Sequence, residues 1–246
     1  REGRTVMLSE FGRSILPRLE EIEAQAAAAR SFAENWRLLR QAPLRLGVMS
    51  TIGPAGLSDF LAAFERRHDG VELTVSEAPA QDLRRRLEAG ELDLVIANPV
   101  EGFEGLRLSP LYEERYVVLL PPNHPLGSAD AVRLSDLSGE AYVDRLACEL
   151  REAVMAICGE RAVELYARFR SEREDWVQAM VAAGIGFAFM PEFAVTLPGL
   201  MQRPLVDPAV SRRIALASAP GRPHTPAMQA LIRAAAAHSW PGRAVA

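Results

Sequence analysis

Apolar residues recur at Phe11, Ile15, Leu19, Ile22, Ala26, Ala29, Phe32, Trp36 and Leu39, a mixed spacing of three and four that holds one face of a helix over residues 9–40. The other face carries Arg13, Arg18, Glu20, Glu21, Glu23, Arg30, Glu34 and Arg37. A stripe kept for about nine turns is longer than an ordinary globular helix needs. The small run Ala26 to Ala29 lets a partner helix approach closely, so the pattern favours a dimerising linker helix over one lying on its own domain. Ser9 is placed to cap it, and Pro17 removes one backbone donor and predicts a kink.

From Pro43 the period changes to alternation. Leu44, Leu46 and Val48 predict a strand, Phe60, Leu61 and Phe64 the inward face of a helix over 57–68, and 71–77 a second strand. A helix over 80–89 should end at Gly90, and the apolar run 92–97 reads as a strand buried on both faces. Two further strands, 106–111 and 116–120, lead into the proline-rich stretch 121–127, which breaks regular structure. The pattern then restarts with strand 141–145, helix 149–159, strand 164–170, helix 172–183 and strand 186–190; strand 213–218 and helix 226–238 close the chain. Alternation of strand and helix predicts an α/β fold with a mainly parallel sheet in two lobes, the last helix returning to the first.

Composition narrows the classes. Hydrophobic residues make up 49% of the 246 residues and charged ones 24%, the balance of a soluble globular protein. A net charge of −4 lacks the basic excess of a self-sufficient nucleic-acid-binding surface. No apolar run approaches the ~18 residues of a membrane span, and Arg1 to Arg4 do not make a signal peptide, so a cytoplasmic protein without membrane contact is expected. Two cysteines, Cys148 and Cys158, make neither a disulfide framework nor a zinc-type pair, so no structural metal and no cofactor are expected. The start at Arg1, without Met, reads as the interior of a longer protein.

Five motifs in order carry a family resemblance. They are Arg4-Thr5-Val6-Met7-Leu8-Ser9-Glu10-Phe11-Gly12, Leu44-Arg45-Leu46-Gly47-Val48, Leu87-Glu88-Ala89-Gly90-Glu91-Leu92-Asp93-Leu94, Asn123-His124-Pro125-Leu126, and Met180 to Pro191 with its Gly184-Ile185-Gly186. Together they resemble LysR-type transcription regulators along essentially the whole chain, the first being similar to the end of a winged helix-turn-helix. The resemblance implies four segments: residues 1–8 ending the winged helix, 9–42 a linker and dimerisation helix, 43–121 with 219–246 one effector-binding lobe, and 122–218 the other. It also implies a two-lobed domain like a periplasmic binding protein, a small anionic effector between the lobes, a homodimer or homotetramer, and DNA contact through the region that precedes this chain.

Ligands of open α/β sheets sit at the carboxyl ends of parallel strands, where free N–H groups gather. The candidate contacts at such ends are Ser50 and Thr51, Asn98 and Pro99, and Arg145 and Leu146, with Gly184, Ile185 and Gly186 offering backbone that a ligand can approach. Ser50 and Thr51 could instead cap a helix, although the resemblance to the family's ligand hydroxyl positions favours a contact, and Asn98-Pro99 could equally be a plain turn.

Cys148 stands where strand gives way to helix, between Arg145 and Arg151, a setting that can lower a thiol pKa; it is a further effector-contact candidate. This is similar to the peroxide-sensing branch of the family, which makes a thiol-based sensor using Cys148 and Cys158 the alternative function. Ten positions separate the two, about 15 Å if both lie on one helix and too far for a disulfide. A second alternative is a free-standing solute-binding protein of the same architecture, against which the linker helix counts. His68, His124, His224 and His238 lie in no catalytic constellation, so no enzyme is expected.

Overall fold

A computed structural model of the chain describes residues 8–99 and 102–242. Residues 1–7, which carry most of the predicted winged-helix end, lie outside the described residues. Helix α1 (Glu10–Arg37) opens the described chain, and Ser9 caps it by accepting the Gly12 N–H at 3.0 Å. Pro17 lies within it and the helix runs on past it, with no residue buried along its length. Its apolar stripe is left bare: Phe11 is 73% and Ile22 65% exposed.

The first α/β unit forms as its pattern requires. Strand β1 (Ala42–Met49) leads through α2 (Pro54–Glu65) to β2 (Val71–Ala78), then through α3 (Ala80–Ala89) to β3 (Leu94–Ala97). The three strands pair in parallel in the order β2, β1, β3, the crossovers requiring helices between them. Helix α3 stops at Gly90, whose φ of 77° suits glycine and few other residues.

The two strands expected at 106–111 and 116–120 are one, β4 (Arg107–Leu120). The polar stretch Glu113 to Arg115 resembled a break because it lies where the strand leaves one core for the other; pairing with a neighbour continues through it. Beyond it come the short β5 (Val132–Arg133), β6 (Ala141–Arg145), α4 (Arg151–Glu160), β7 (Tyr166–Ser171), α5 (Glu174–Ala182) and β8 (Ala188–Pro191). An unanticipated strand, β9 (Met201–Val206), pairs antiparallel with the second half of β4 and holds Pro204 within it. The chain closes with β10 (Ser211–Ser218) and α6 (Pro226–Ala237), the latter capped by Thr225 with Pro226 at its first position.

Strand β10 is antiparallel to both β3 and β4, so the sheet is mixed, contrary to the mainly parallel expectation. Residues 211–218, assigned from the sequence to the second lobe, therefore pack in the first. Its core joins Leu44, Leu46, Phe60, Leu83, Leu94 and Ile96 to Ile214 and Leu216 of β10 and Leu231 of α6. The second lobe has two apolar clusters, one on each side of its strands. The first gathers Tyr116, Val118, Tyr142, Phe187 and Phe189, and the second Leu119, Val143, Val177, Val181 and Met190. Strand β4 thus feeds both lobes, Leu111 to the first core and Tyr116 onward to the second.

Candidate functional site

A charged side chain faces inward on each of two paired strands, β4, which feeds both lobes, and β10 beside it. On β10, Arg212 shares the inward phase with Ile214 and Leu216; on β4, Glu114 shares it with Tyr116 and Val118. Charges are not buried without partners, and these find each other. Arg212 meets Glu114 at 2.8 Å, both side chains fully buried. Its Nη1 also donates to Glu149 Oε1 at 2.6 Å and to Thr51 Oγ1 at 2.8 Å, and Nη2 donates to the Thr51 carbonyl at 2.8 Å. The guanidinium lies 5.9 Å from the Tyr116 ring centroid.

Glu149 is the centre of a bridge between the lobes. Thr51, just past the end of β1, donates its hydroxyl to Glu149 Oε2 at 3.0 Å, and Asn98, just past β3, donates Nδ2 to Oε1 at 3.4 Å. Both partners come from the first lobe, whereas Glu149 sits on the turn before α4 in the second. Burial pushes the Glu149 carboxyl up, but the Arg212 guanidinium and its hydrogen bonds outweigh this and hold it below the usual carboxylate range. Glu114 goes the other way. Burial dominates and raises its pKa, although Arg212 and the Phe193 N–H oppose the rise. One guanidinium cannot fully compensate two buried carboxylates, and the second carries the desolvation cost.

Two cavities adjoin this bridge. One, of about 440 Å³, includes Ser50, Thr51 and Glu77 from the first lobe and Glu172, Arg173 and Glu174 from the second. The other, of about 550 Å³, is lined by Pro79 and Gln81 facing Leu146, Cys148, Glu149 and Arg151. Thr51 lines the first and Glu149 the second, so their hydrogen bond marks the partition between them.

The sequence-predicted candidates fall into distinct places. Ser50 and Thr51 line the first cavity, and Leu146 and Cys148 the second. Asn98 is buried against Glu149, while Pro99 lines neither cavity. Arg145 is buried behind the wall, its fork on Glu174 at 2.9 Å and its Nη1 donating to the Phe189 carbonyl at 3.0 Å. Gly184, Ile185 and Gly186 line neither cavity. Gly184 takes φ 77° just past α5, Ile185 packs on the second core, and a Cβ on Gly186 would lie 2.3 Å from the Ala141 carbonyl oxygen. The backbone that Gly186 lets approach is β6, where a ligand was expected.

The thiol geometry also departs from the expectation. Helix α4 begins at Arg151, so Cys148 lies on the preceding turn and only Cys158 is helical; the two do not share one helix. Cys148 is half-buried with Sγ 3.6 Å from the Tyr116 hydroxyl, while Cys158 is buried, which pushes its thiol pKa up. The two arginines expected to flank the thiol are turned elsewhere, Arg145 to Glu174 and Arg151 to Asp144 at 2.6 Å.

Sequence reasoning missed Arg212, Glu114 and Glu149, although a signal existed for two of them: a charge at the inward phase of an otherwise apolar strand has to find a buried partner. It missed Gln178 as well, whose amide clamps α5 to the loop after β8 by accepting from Thr196 N and Leu197 N and donating to the Ala194 carbonyl. Nothing in the local pattern of a helix distinguishes that glutamine.

Fold and site together define a two-lobed sensor domain with a cleft bridged by a buried polar network. The LysR substrate binding domain profile matches residues 39–240, and the chain belongs to that family, the effector-binding part of LysR-type transcription regulators. It is 26% identical over 229 residues to the DNA-binding transcriptional dual regulator OxyR of Escherichia coli K12, covering 91% of this chain and 75% of that one. A probable hydrogen peroxide-inducible genes activator of Streptomyces viridosporus is 30% identical over 229 residues, covering 90% and 73%. The crystal structure of the oxidized form of OxyR superposes with a TM-score of 0.69 at 28% identity, covering 81% of this chain and 96% of that one. No helix among the described residues is long and apolar enough to cross a membrane.

Proposed function

We propose that this chain senses a small polar effector in the cleft between its lobes. The bound effector sets how far the lobes close, and thereby the geometry of a cytoplasmic homodimer or homotetramer whose DNA-reading region lies N-terminal to α1. The observation that carries this reading is the bridge from Thr51 and Asn98 to Glu149 and Arg212, flanked by the 440 Å³ cavity. A cleft joined by a few directional bonds can be re-set by a ligand that competes for or adds to them, and a ligand shifts such an equilibrium by its differential affinity for the two states. Of the donors that the sequence pointed to, Thr51 and Asn98 are on the Glu149 carboxylate and Arg145 is on Glu174, so an anionic effector would compete with these carboxylates for them. Support for the lobe assignment, 43–121 with the C-terminal segment against the residues from 122, comes from the separate cores, with β10 moved to the first lobe. The test is a small-molecule screen by calorimetry on the wild type and Thr51→Val. A ligand that binds the wild type and loses affinity by about 1.5–3 kcal/mol in the variant supports the cleft. Ligands whose affinity is unchanged in Thr51→Val, and in variants of the cavity wall, would move the effector elsewhere.

A second reading, thiol-based sensing of peroxide, is favoured by the names of the relatives and by the placement of Cys148 on the 550 Å³ cavity beside Tyr116. In it the Cys148 thiolate attacks a peroxide oxygen, gives sulfenic acid and releases water; condensation with the Cys158 thiol then gives a disulfide and a second water. Because Cys158 is buried on α4, the disulfide requires that helix to move. Peroxide titration with intact mass and peptide mapping decides it. A Cys148 unmodified at peroxide levels that oxidise free cysteine ends this reading.

A further inference from the structure

We propose that Thr51, Asn98 and Arg212 form a carboxylate-binding site on the first lobe, and that the chain fills it with its own Glu149, a tethered ligand that latches the lobes together without an effector. The inference rests on the reading of the cleft as the effector site for the identity of the competitor, a free carboxylate compound.

The three donors come from segments that only the fold brings together: Thr51 follows β1, Asn98 follows β3, and Arg212 is on β10. They meet one carboxylate. Thr51 Oγ1 lies 3.0 Å from Oε2, and Asn98 Nδ2 and Arg212 Nη1 lie 3.4 and 2.6 Å from Oε1. The Thr51 hydroxyl accepts from Arg212 Nη1 at 2.8 Å, so its own hydrogen is left for the carboxylate. All three residues are buried, and the Glu149 side chain is 6% exposed. Buried donors without an acceptor would each carry an uncompensated desolvation cost, so the place calls for an acceptor. Burial opposes charge on Glu149, yet the pull of Arg212 favours its ionised form.

Glu149 reaches this site from the second lobe, on the turn before α4. It lines the 550 Å³ cavity and Thr51 lines the 440 Å³ one, so a small solute can enter once the side chain is gone. Truncation beyond Cβ removes a carboxymethyl group, which acetate matches in size and charge. Arg212 keeps Glu114 at 2.8 Å, so the emptied site retains a paired cation. A tethered carboxylate competes at an effective concentration of about millimolar or above, and a free one displaces it only with further contacts. The effector class this defines is a carboxylate carrying a second group that one of the flanking cavities takes.

The experiment measures urea midpoints and small-angle scattering at neutral pH for the wild type, Glu149→Ala, Glu149→Gln, and Glu149→Ala combined with Thr51→Val. Each is compared in sodium acetate, in sodium chloride of the same ionic strength, and in acetamide at the same concentration. Acetate is expected to raise the Glu149→Ala midpoint saturably and to return an enlarged radius of gyration to the wild-type value. Its apparent affinity falls at least tenfold in the double variant, and chloride and acetamide have neither effect. Glu149→Gln, whose side chain still fills the place, gains nothing from acetate. If Glu149→Ala is unfolded in chloride, recovery of its circular dichroism in acetate alone reads the same site, and no recovery counts against it. A Glu149→Ala protein that acetate leaves unchanged, or that responds equally to acetamide, overturns the inference and leaves Glu149 as a buried ion-pair partner. These probes need no effector, so a failed effector screen on the wild type would remove the effector reading while the acetate result stood.

Discussion

At the scale of single residues, Arg212 is the group on which most depends. It is fully buried, and its removal leaves Glu114 and Glu149 inside with no cation. Breaking a buried ion pair from one side costs about 3–5 kcal/mol. Arg212→Met is therefore expected to lower the urea-derived unfolding free energy by about that amount, and adding Glu114→Gln and Glu149→Gln should restore part of it; a loss under ~1 kcal/mol would mean that the network holds little together. The two carboxylates also predict opposite pH behaviour. Glu149 is depressed in the folded state, so its stabilisation is present above the ordinary glutamate value and is lost as pH falls through the lower folded value. Glu114 is raised, so it costs stability as pH rises through the ordinary value, and the cost is complete above its folded one. Urea midpoints measured from about pH 3 to pH 6 should show that Glu149→Gln flattens the acid loss of stability and Glu114→Gln steepens it, around the unperturbed value of ~4.3.

At the scale of elements, α1 is a helix with nothing of its own to pack on. Its stripe of Phe11, Leu19, Ile22 and Phe32 stays exposed, although burial of such a face is what normally stabilises a long helix. In the proposed homodimer a second copy of α1 covers the stripe. Ile22→Glu places a charge in the middle of that seam and forfeits about 1.5–3 kcal/mol of side-chain burial, so the dissociation constant should rise at least tenfold in sedimentation equilibrium. Unchanged association would locate the interface on the lobes. The boundaries of the shorter helices were legible to within a few residues because their stop signals are local, as with Gly90 after α3 and Thr225 before α6. The strands were less so. Strand β4 looked broken at Glu113 to Arg115 and β9 was not anticipated, since the partners that make both regular come from far along the chain.

At the scale of the whole molecule, β4 runs through both lobes and the Glu149 bridge ties them a second time, so the lobes should not unfold independently. Trp240 lies in the first core and Trp176 on α5 of the second lobe. Variants that keep one or the other tryptophan should report the same urea midpoint, and separated midpoints would show that the lobes are only loosely coupled. The sequence by itself determined the alternation of strand and helix, the long amphipathic helix α1, the return of the last helix and the family, because each is written in local periodicity or in short motifs. It also marked Ser50, Thr51, Asn98 and Cys148 as lying near the cleft, since strand ends are local features too. Only the tertiary structure decided that β10 joins the first lobe, that Gly186 makes room for β6, and that Glu149 sits on Thr51, Asn98 and Arg212. Arg212 and Thr51 are 161 positions apart, and Arg212 and Glu114 are 98 apart. Their contact depends on the order of strands in a mixed sheet, and no periodicity along the chain encodes that order.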